Sequence, residues 1–194
     1  MNPAFKILFL YLIIAVTGCT VTPIKLYEGP EVIDQNLSIL ESSCNELCTE
    51  SIEKAFSLER YGFNISPVKN AVIVVSLNDI IGDSKFYNDI GSFNSTWDGS
   101  FILKTLPGDQ RLLVHINYWR TPYLFTELIN FKAEKNNVYF VGDILDIDLQ
   151  KNTFQWSPVI YNKTQGVLVY PPKDKPWINE KSVPYPSTYI NYNH

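Results

Sequence analysis

From residue 71 onward the apolar residues of this chain recur at every second position, and that period sets the fold class before any other feature does. Residues 71–77 read Ala-Val-Ile-Val-Val-Ser-Leu, a run dense in the β-branched side chains that suit a pleated surface. Residues 101–105 are a second strand candidate, closed by Leu106-Pro107-Gly108-Asp109. Pro then Gly at the centre of that turn suits type II, because Gly108 supplies the positive φ of the third position. The return strand, 111–119, places Leu112, Val114, Ile116 and Tyr118 on one face and His115 on the other. Residues 124–133 follow, with Phe125, Ile129, Phe131 and Ala133 on one side, then a turn at 134–137 and a strand start at 138–141. A last strand is expected over 154–161, and a short early one over 37–40. Residues 78–89 read as turn-like. Short strands joined by tight turns predict an all-β protein, a small antiparallel β-sandwich.

The remaining segments are less regular. Residues 20–36 contain Pro23, Gly29 and Pro30 and read as a tether. Residues 42–66 look like an insertion holding a short amphipathic helix, with Gly62 as a stop. Residues 163–194 mix tyrosine and proline without a period and read as an irregular, extended tail. Cys44 and Cys48 flank Asn-Glu-Leu at the start of the insertion. Three states are open to them: a local disulfide, two free thiols, or metal ligation. Two cysteines four apart inside a regular helix resist bridging, so a bonded pair implies a helix that begins after Cys48.

Charge narrows the partners. The chain carries 16 basic and 20 acidic residues with no Lys/Arg cluster, which argues against nucleic acid and anionic headgroups as ligands. No stretch after residue 18 approaches the ~20 apolar residues of a membrane-spanning helix.

Candidate chemistry is sparse. His115 sits mid-strand, where a partly exposed histidine is the expectation. Asp143, Asp146 and Asp148 have oxygen ligands to offer calcium, but no Asp-x-Asp-x-Asp-Gly loop with a closing Glu follows. Their alternation suits a strand edge with solvated acids. Ser92, Ser95 and Ser100 lack the Gly-x-Ser-x-Gly elbow of serine hydrolases. Trp97, Trp119, Tyr118 and Tyr123 are candidates for an aromatic platform, although such residues on strands usually pack in the core. The polar-aromatic stretch 83–99 reads as the most variable contact loop. The expectation is a protein with no catalytic, cofactor or metal site, and not an enzyme.

Two resemblances add to this. Residues 5–16 are an apolar run with a single charge, Lys6, near its start, and lead into Val16-Thr17-Gly18-Cys19. This arrangement resembles the signal and lipobox of bacterial lipoprotein precursors. It implies cleavage before Cys19, acylation of Cys19, and a membrane partner reached through the N-terminal lipid, since two or three acyl chains anchor stably. Thr20 in place of aspartate implies the periplasmic face of the outer membrane. The second resemblance lies in residues 101–112, Phe-Ile-Leu-Lys-Thr-Leu-Pro-Gly-Asp-Gln-Arg-Leu, and 131–140, Phe-Lys-Ala-Glu-Lys-Asn-Asn-Val-Tyr-Phe. They are similar to the Pro-Gly turn and the Phe-x-Ala-Glu hairpin of PEGA-like and prealbumin-like (carboxypeptidase-regulatory-like) envelope domains. Gln110 stands where those families carry histidine, and Asn136-Asn137 where they carry a glycine. Residues 26–30 and 156–160 also resemble segments of lipoproteins bearing such domains. The resemblance implies a prealbumin/Ig-like sandwich, no activity and no catalytic residues.

The organisation expected is a signal helix at 1–18, a tether at 19–36, a sandwich at 37–162 and a tail at 163–194. The function expected is a lipid-anchored envelope protein with a structural or protein-interaction domain and an envelope protein as partner. The alternative is a glycan- or peptide-binding module using the 83–99 loop.

Overall fold

The computed structural model describes residues 21–56, 68–69, 72–87, 90–93, 100–116, 125–148, 153–173 and 183–184. The signal segment, Cys19, Ser95, Trp97, Tyr118, Trp119 and Tyr123 lie outside them. The described chain is mostly β. Its strands are β1 (Ile24–Lys25), β2 (Ser38–Glu41), β3 (Val68–Lys69), β4 (Val72–Leu77), β5 (Ile80–Ile81), β6 (Ser84–Tyr87) and β7 (Ile90–Ser92). They continue with β8 (Ile102–Thr105), β9 (Gly108–Ile116), β10 (Phe125–Ala133), β11 (Val138–Asp148), β12 (Thr153–Asn162), β13 (Val167–Tyr170) and β14 (Val183–Pro184). One α-helix, α1 (Glu46–Ala55), lies between β2 and β3.

Two principal sheets share a core. The larger runs β1-β8-β2-β11-β12-β13, with β3 on β11 and β14 on β12; the smaller runs β10-β9-β4-β5. β6 and β7 pair with each other as a separate ribbon. Leu40, Leu103, Tyr139, Val141, Trp156 and Ile160 from the first sheet join Val74, Leu77, Leu112, Val114, Ile129 and Phe131 from the second in one buried cluster. The period-two pattern explains this, because each strand turns alternate side chains to one face. The larger sheet buries its other face too. Phe140, Ile144, Val159 and Tyr161 pack under Cys48 and Ile52 of α1 and Phe56 at its C-cap. β11 and β12 therefore bury both faces where they pair, and the runs 138–141 and 158–161 are continuously apolar rather than alternating.

The smaller sheet is antiparallel throughout, as expected, but the larger is mixed: β1 runs parallel to β8, and β2 parallel to β11. The reason lies in the turns. The Leu106-Pro107 step does not close a hairpin. β8 pairs with β1 and β2, whereas β9 pairs with β10 and β4, so the chain changes sheet there. Gly108 has φ +134°, the positive value anticipated, but it serves a corner. The 134–137 turn is likewise a corner, from β10 in one sheet to β11 in the other. Sequence identifies a turn but not which partner the next strand will find.

Other boundaries shift. α1 starts at Glu46, ahead of Cys48, because the Asn45 side chain caps it by accepting from the Cys48 N–H at 2.9 Å. The reading of 24–36 as tether gives way to β1 and a 3₁₀ turn at Asp34–Asn36. The turn-like 78–89 stretch holds β5 and β6, joined to β4 through Asn78 and Asp79 at φ 50° and 69°. Such a two-residue turn matches strand twist. The last strand is not 154–161: β13 and β14, from the segment read as an irregular tail, both pair with β12.

The register defines two poles. At one, the corner pole, lie the Pro107-Gly108 corner, the 134–137 corner and the Asn162–Gly166 turn. Ser38 Oγ donates to Glu134 O there, and Val138 N–H to Thr164 Oγ1. At the other, Ile116 pairs with Phe125 and Val72, and Asp148 with Thr153. The positive φ at Gly108 yields a direct test. Its position has open space for a Cβ, so only the backbone resists a side chain. Gly108→Val should cost roughly 1–3 kcal/mol in denaturant unfolding; an unchanged midpoint would contradict the corner geometry.

Candidate interaction site at the corner pole

Most of the polar residues that sequence singled out serve the fold. His115 is not partly exposed: it is 3% accessible, on the face of β9 away from the core cluster, opposite Thr126 and Ile73. Its Nδ1 lies 3.1 Å from Thr126 Oγ1, and its Nε2 has no hydrogen-bond partner among the described residues. Burial lowers its pKa below the usual 6.5. The unfolded chain therefore binds the proton more readily. Stability from this group is full above about pH 6.5 and falls as the pH drops below it. We expect thermal midpoints to decline between pH 7 and 5, and His115→Gln to flatten that decline.

Asp143 is not a solvated edge acid. It is buried in β11, and its Oδ2 accepts from Trp156 Nε1 at 2.9 Å. Asp146 and Asp148 lie on the same strand. Among the described residues no three His, Cys, Asp or Glu side chains are placed to hold a metal. Ser92 is buried, and Ser100 precedes β8. Cys44 and Cys48 are joined by a disulfide with Cα atoms 5.5 Å apart. The bond spans the cap of α1: Cys44 sits just before Asn45, and only Cys48 is helical.

The stretch 83–99 is less loop-like than its composition implies. It contributes β6 and β7, and Phe93 enters the main core at 3% accessibility. Phe93 N–H donates to Val74 O at 2.8 Å, and Gly82 N–H to Val75 O at 3.0 Å. Trimming this stretch would remove core, so it is a poor place for a freely variable contact surface.

The corner pole carries surface chemistry instead. Gln110, 4% exposed, ties the corner together. Its Oε1 accepts from Asn78 Nδ2 at 2.8 Å and from Thr105 Oγ1 at 3.2 Å, and its Nε2 donates to Leu106 O at 3.0 Å and Gly108 O at 3.3 Å. The side chain thus satisfies backbone groups that the change of sheet leaves unpaired. Asn78 Oδ1 accepts from Arg111 N–H, and Arg111 forms an ion pair with Asp79. The second corner is locked by Tyr139, whose hydroxyl accepts from Glu134 N–H at 2.8 Å while its ring meets Phe131 edge-on at 5.6 Å. Beside Gln110, a depression of about 310 Å³ opens between β9 and β10, lined by Asp109, Gln110, Arg111, Asn130, Phe131 and Lys132. Ile80 and Ile81, the two residues of β5, and Leu106, just before the Pro107-Gly108 corner, stand 45%, 67% and 47% exposed at this pole. A rigid corner with exposed apolar side chains and mixed charge is suited to protein contact.

Sequence reasoning passed over Gln110 as a departure from the family pattern and gave Tyr139 no role. The signal for Tyr139 was its distance from the 134–137 turn: a tyrosine just after a corner can reach back to it. Among the described residues no helix is long and apolar enough to cross a membrane. No family model, curated protein or solved structure matches this chain.

Proposed function

We propose that this chain is a lipid-anchored cell-envelope protein whose β domain, a prealbumin- or Ig-like sandwich, acts as a non-catalytic structural or protein-interaction module. The observation that carries the reading is the apolar run ending in Val16-Thr17-Gly18-Cys19, with a folded domain that takes up the chain at Ile24. The anchor would be the acylated Cys19, on the periplasmic face of the outer membrane. The partner would be another envelope protein. The ties of Gln110 and Tyr139 give that partner a preorganised surface, which lowers the ordering cost of association. The structural use of His115 and Asp143 fits a domain that binds rather than reacts.

The test is acylation. The wild-type chain should incorporate a fatty-acid probe and fractionate with membranes, and Cys19→Ala should abolish both. Undiminished labelling of Cys19→Ala would overturn the reading. Crosslinking from native membranes, with probes at Leu106 and Lys132, should capture a protein partner.

A further inference from the structure

We propose that β10 pairs antiparallel with the β10 of a second copy of this chain, about a two-fold axis at Ile129. Two four-stranded sheets then join into one of eight strands. The proposal goes beyond the anchor reading and does not depend on it. β10 closes one edge of the smaller sheet, and among the described residues its only strand partner is β9. The direction of its free groups follows from contacts on the far side of β9. Asn78 N–H donates to Arg111 O at 2.8 Å, and Arg111 N–H donates to Asn78 Oδ1. Arg111 therefore turns its backbone away from β10, where its register partner is Asn130. Bonded and non-bonded pairs alternate along an antiparallel ladder. Asn130 thus points its N–H and C=O out of the sheet edge, and so do Thr126, Leu128 and Lys132. Glu134 has the same parity, and its outward groups are taken: its N–H donates to the Tyr139 hydroxyl, and its C=O accepts from Ser38 Oγ. The four residues before it have no such cover among the described residues.

Proteins usually blunt an open edge with short strands, bulges or proline. The other edges here do so. β1 and β5 are two residues long, and β13 is four, with a register shift against β12 and Pro171 directly after it. β10 is nine residues long, has no proline and keeps register with β9 throughout. Its outer row is Thr126, Leu128, Asn130 and Lys132, all exposed, with Leu128 at 48%. A second copy fits this edge because the edge complements itself. With Ile129 opposite Ile129, Thr126 faces Lys132 of the other copy and Leu128 faces its Asn130. Every outward N–H and C=O then finds a partner, two bonds at each of those pairs. Lys132 is the one charge on the outer row, and the two copies carry it at opposite ends of the paired segment. A parallel arrangement in register would set each lysine beside its twin, which is unfavourable.

The test uses the full chain in detergent. Leu128→Cys and Asn130→Cys chains are prepared separately, then mixed under copper–phenanthroline oxidation. Opposed residues of a bonded pair have Cα atoms ~5.5 Å apart, inside disulfide range, whereas diagonal neighbours lie at ~7–8 Å. The mixture should give at least about threefold more disulfide-linked dimer than either variant alone, above the background that Cys19 sets in wild type. Leu128→Pro removes an N–H that points to the second copy and none that bonds β9. Light scattering, corrected for bound detergent, should report a dimer for wild type and a monomer for Leu128→Pro, with near-ultraviolet circular dichroism unchanged. If Leu128→Pro fails to fold, the disulfide yields decide alone. Equal yields from the mixture and the single variants, or a wild-type chain that is monomeric by mass, overturn the proposal. So does capture of Leu128→Cys by a different envelope protein in native membranes in place of its own copy.

Discussion

Replacing Gly82 by alanine should destabilise the domain by about 3 kcal/mol or more, the upper range for forcing atoms into a packed interior. A Cβ at this position would lie 2.0 Å from the carbonyl carbon of Ser92, 2.2 Å from its oxygen and 2.4 Å from the Phe93 nitrogen. All three are backbone atoms, so no rotamer change relieves the clash. The connection after β5 must withdraw from the end of β7, and Phe93 sits at that junction with its ring in the core. The measurement is chemical denaturation, with near-ultraviolet circular dichroism as a second probe. A midpoint within error of wild type would show that Gly82 and Ser92 do not approach as described. Gly142 is a milder case. A Cβ there meets the Phe140 ring at 2.1 Å, but a ring can shift where a backbone cannot.

The second large effect is expected at Trp156. Trp156→Ala removes one of the largest fully buried side chains in the domain and should cost roughly 3–5 kcal/mol. Trp156→Phe separates volume from hydrogen bonding. It keeps much of the ring but deletes the indole N–H that Asp143 accepts, and should cost roughly 1–3 kcal/mol for the desolvated carboxylate. The cost should shrink when Asp143 is replaced by asparagine in the same chain, because the group left short of a donor is then neutral. Equal costs of Trp156→Phe in both backgrounds would show that an amide oxygen serves this contact as well as the carboxyl does.

How far the sequence discloses this structure depends on the distance over which each feature is determined. β4, β8, β9 and β10 are legible because alternation is local, and the core faces of Leu112, Val114, Ile129 and Phe131 follow from it. The positive φ at Gly108 is legible for the same reason. Strand partnership is not local. Nothing between Thr105 and Gly108 declares that the two strands part company, since a Pro-Gly turn serves hairpin and corner equally. β1, β5 and β13 are two to four residues long, too short for a period to register; β1 and β13 close the edges of the larger sheet. The start of α1 is legible in Asn45, a capping residue, but the geometry of two cysteines four apart points the other way. His115 and Asp143 were placed on outward positions by alternation, which counts faces but not the layers that cover them. The corner surface was missed altogether, since its members, Asn78, Leu106 and Gln110, come from separate turns that meet only in the folded chain.

The sheet-changing corners also govern how the chain must fold. A hairpin rewards its two strands as soon as the turn forms; a corner rewards neither until a distant partner arrives. β2 waits for β11, and the bond from Ser38 Oγ to Glu134 O spans 96 residues. β8 is bounded on both sides by segments from before residue 42. Such nonlocal pairing places the domain among slow-folding topologies. While β11 is still missing, the larger sheet has no centre, and the apolar faces of β2 and β8 stand open. During synthesis β2 emerges roughly a hundred residues, and β8 roughly thirty, ahead of the strand that joins them to the rest. A chain stalled before Val138 would hold every strand of the smaller sheet, with nothing from β11 or β12 to cover its core face.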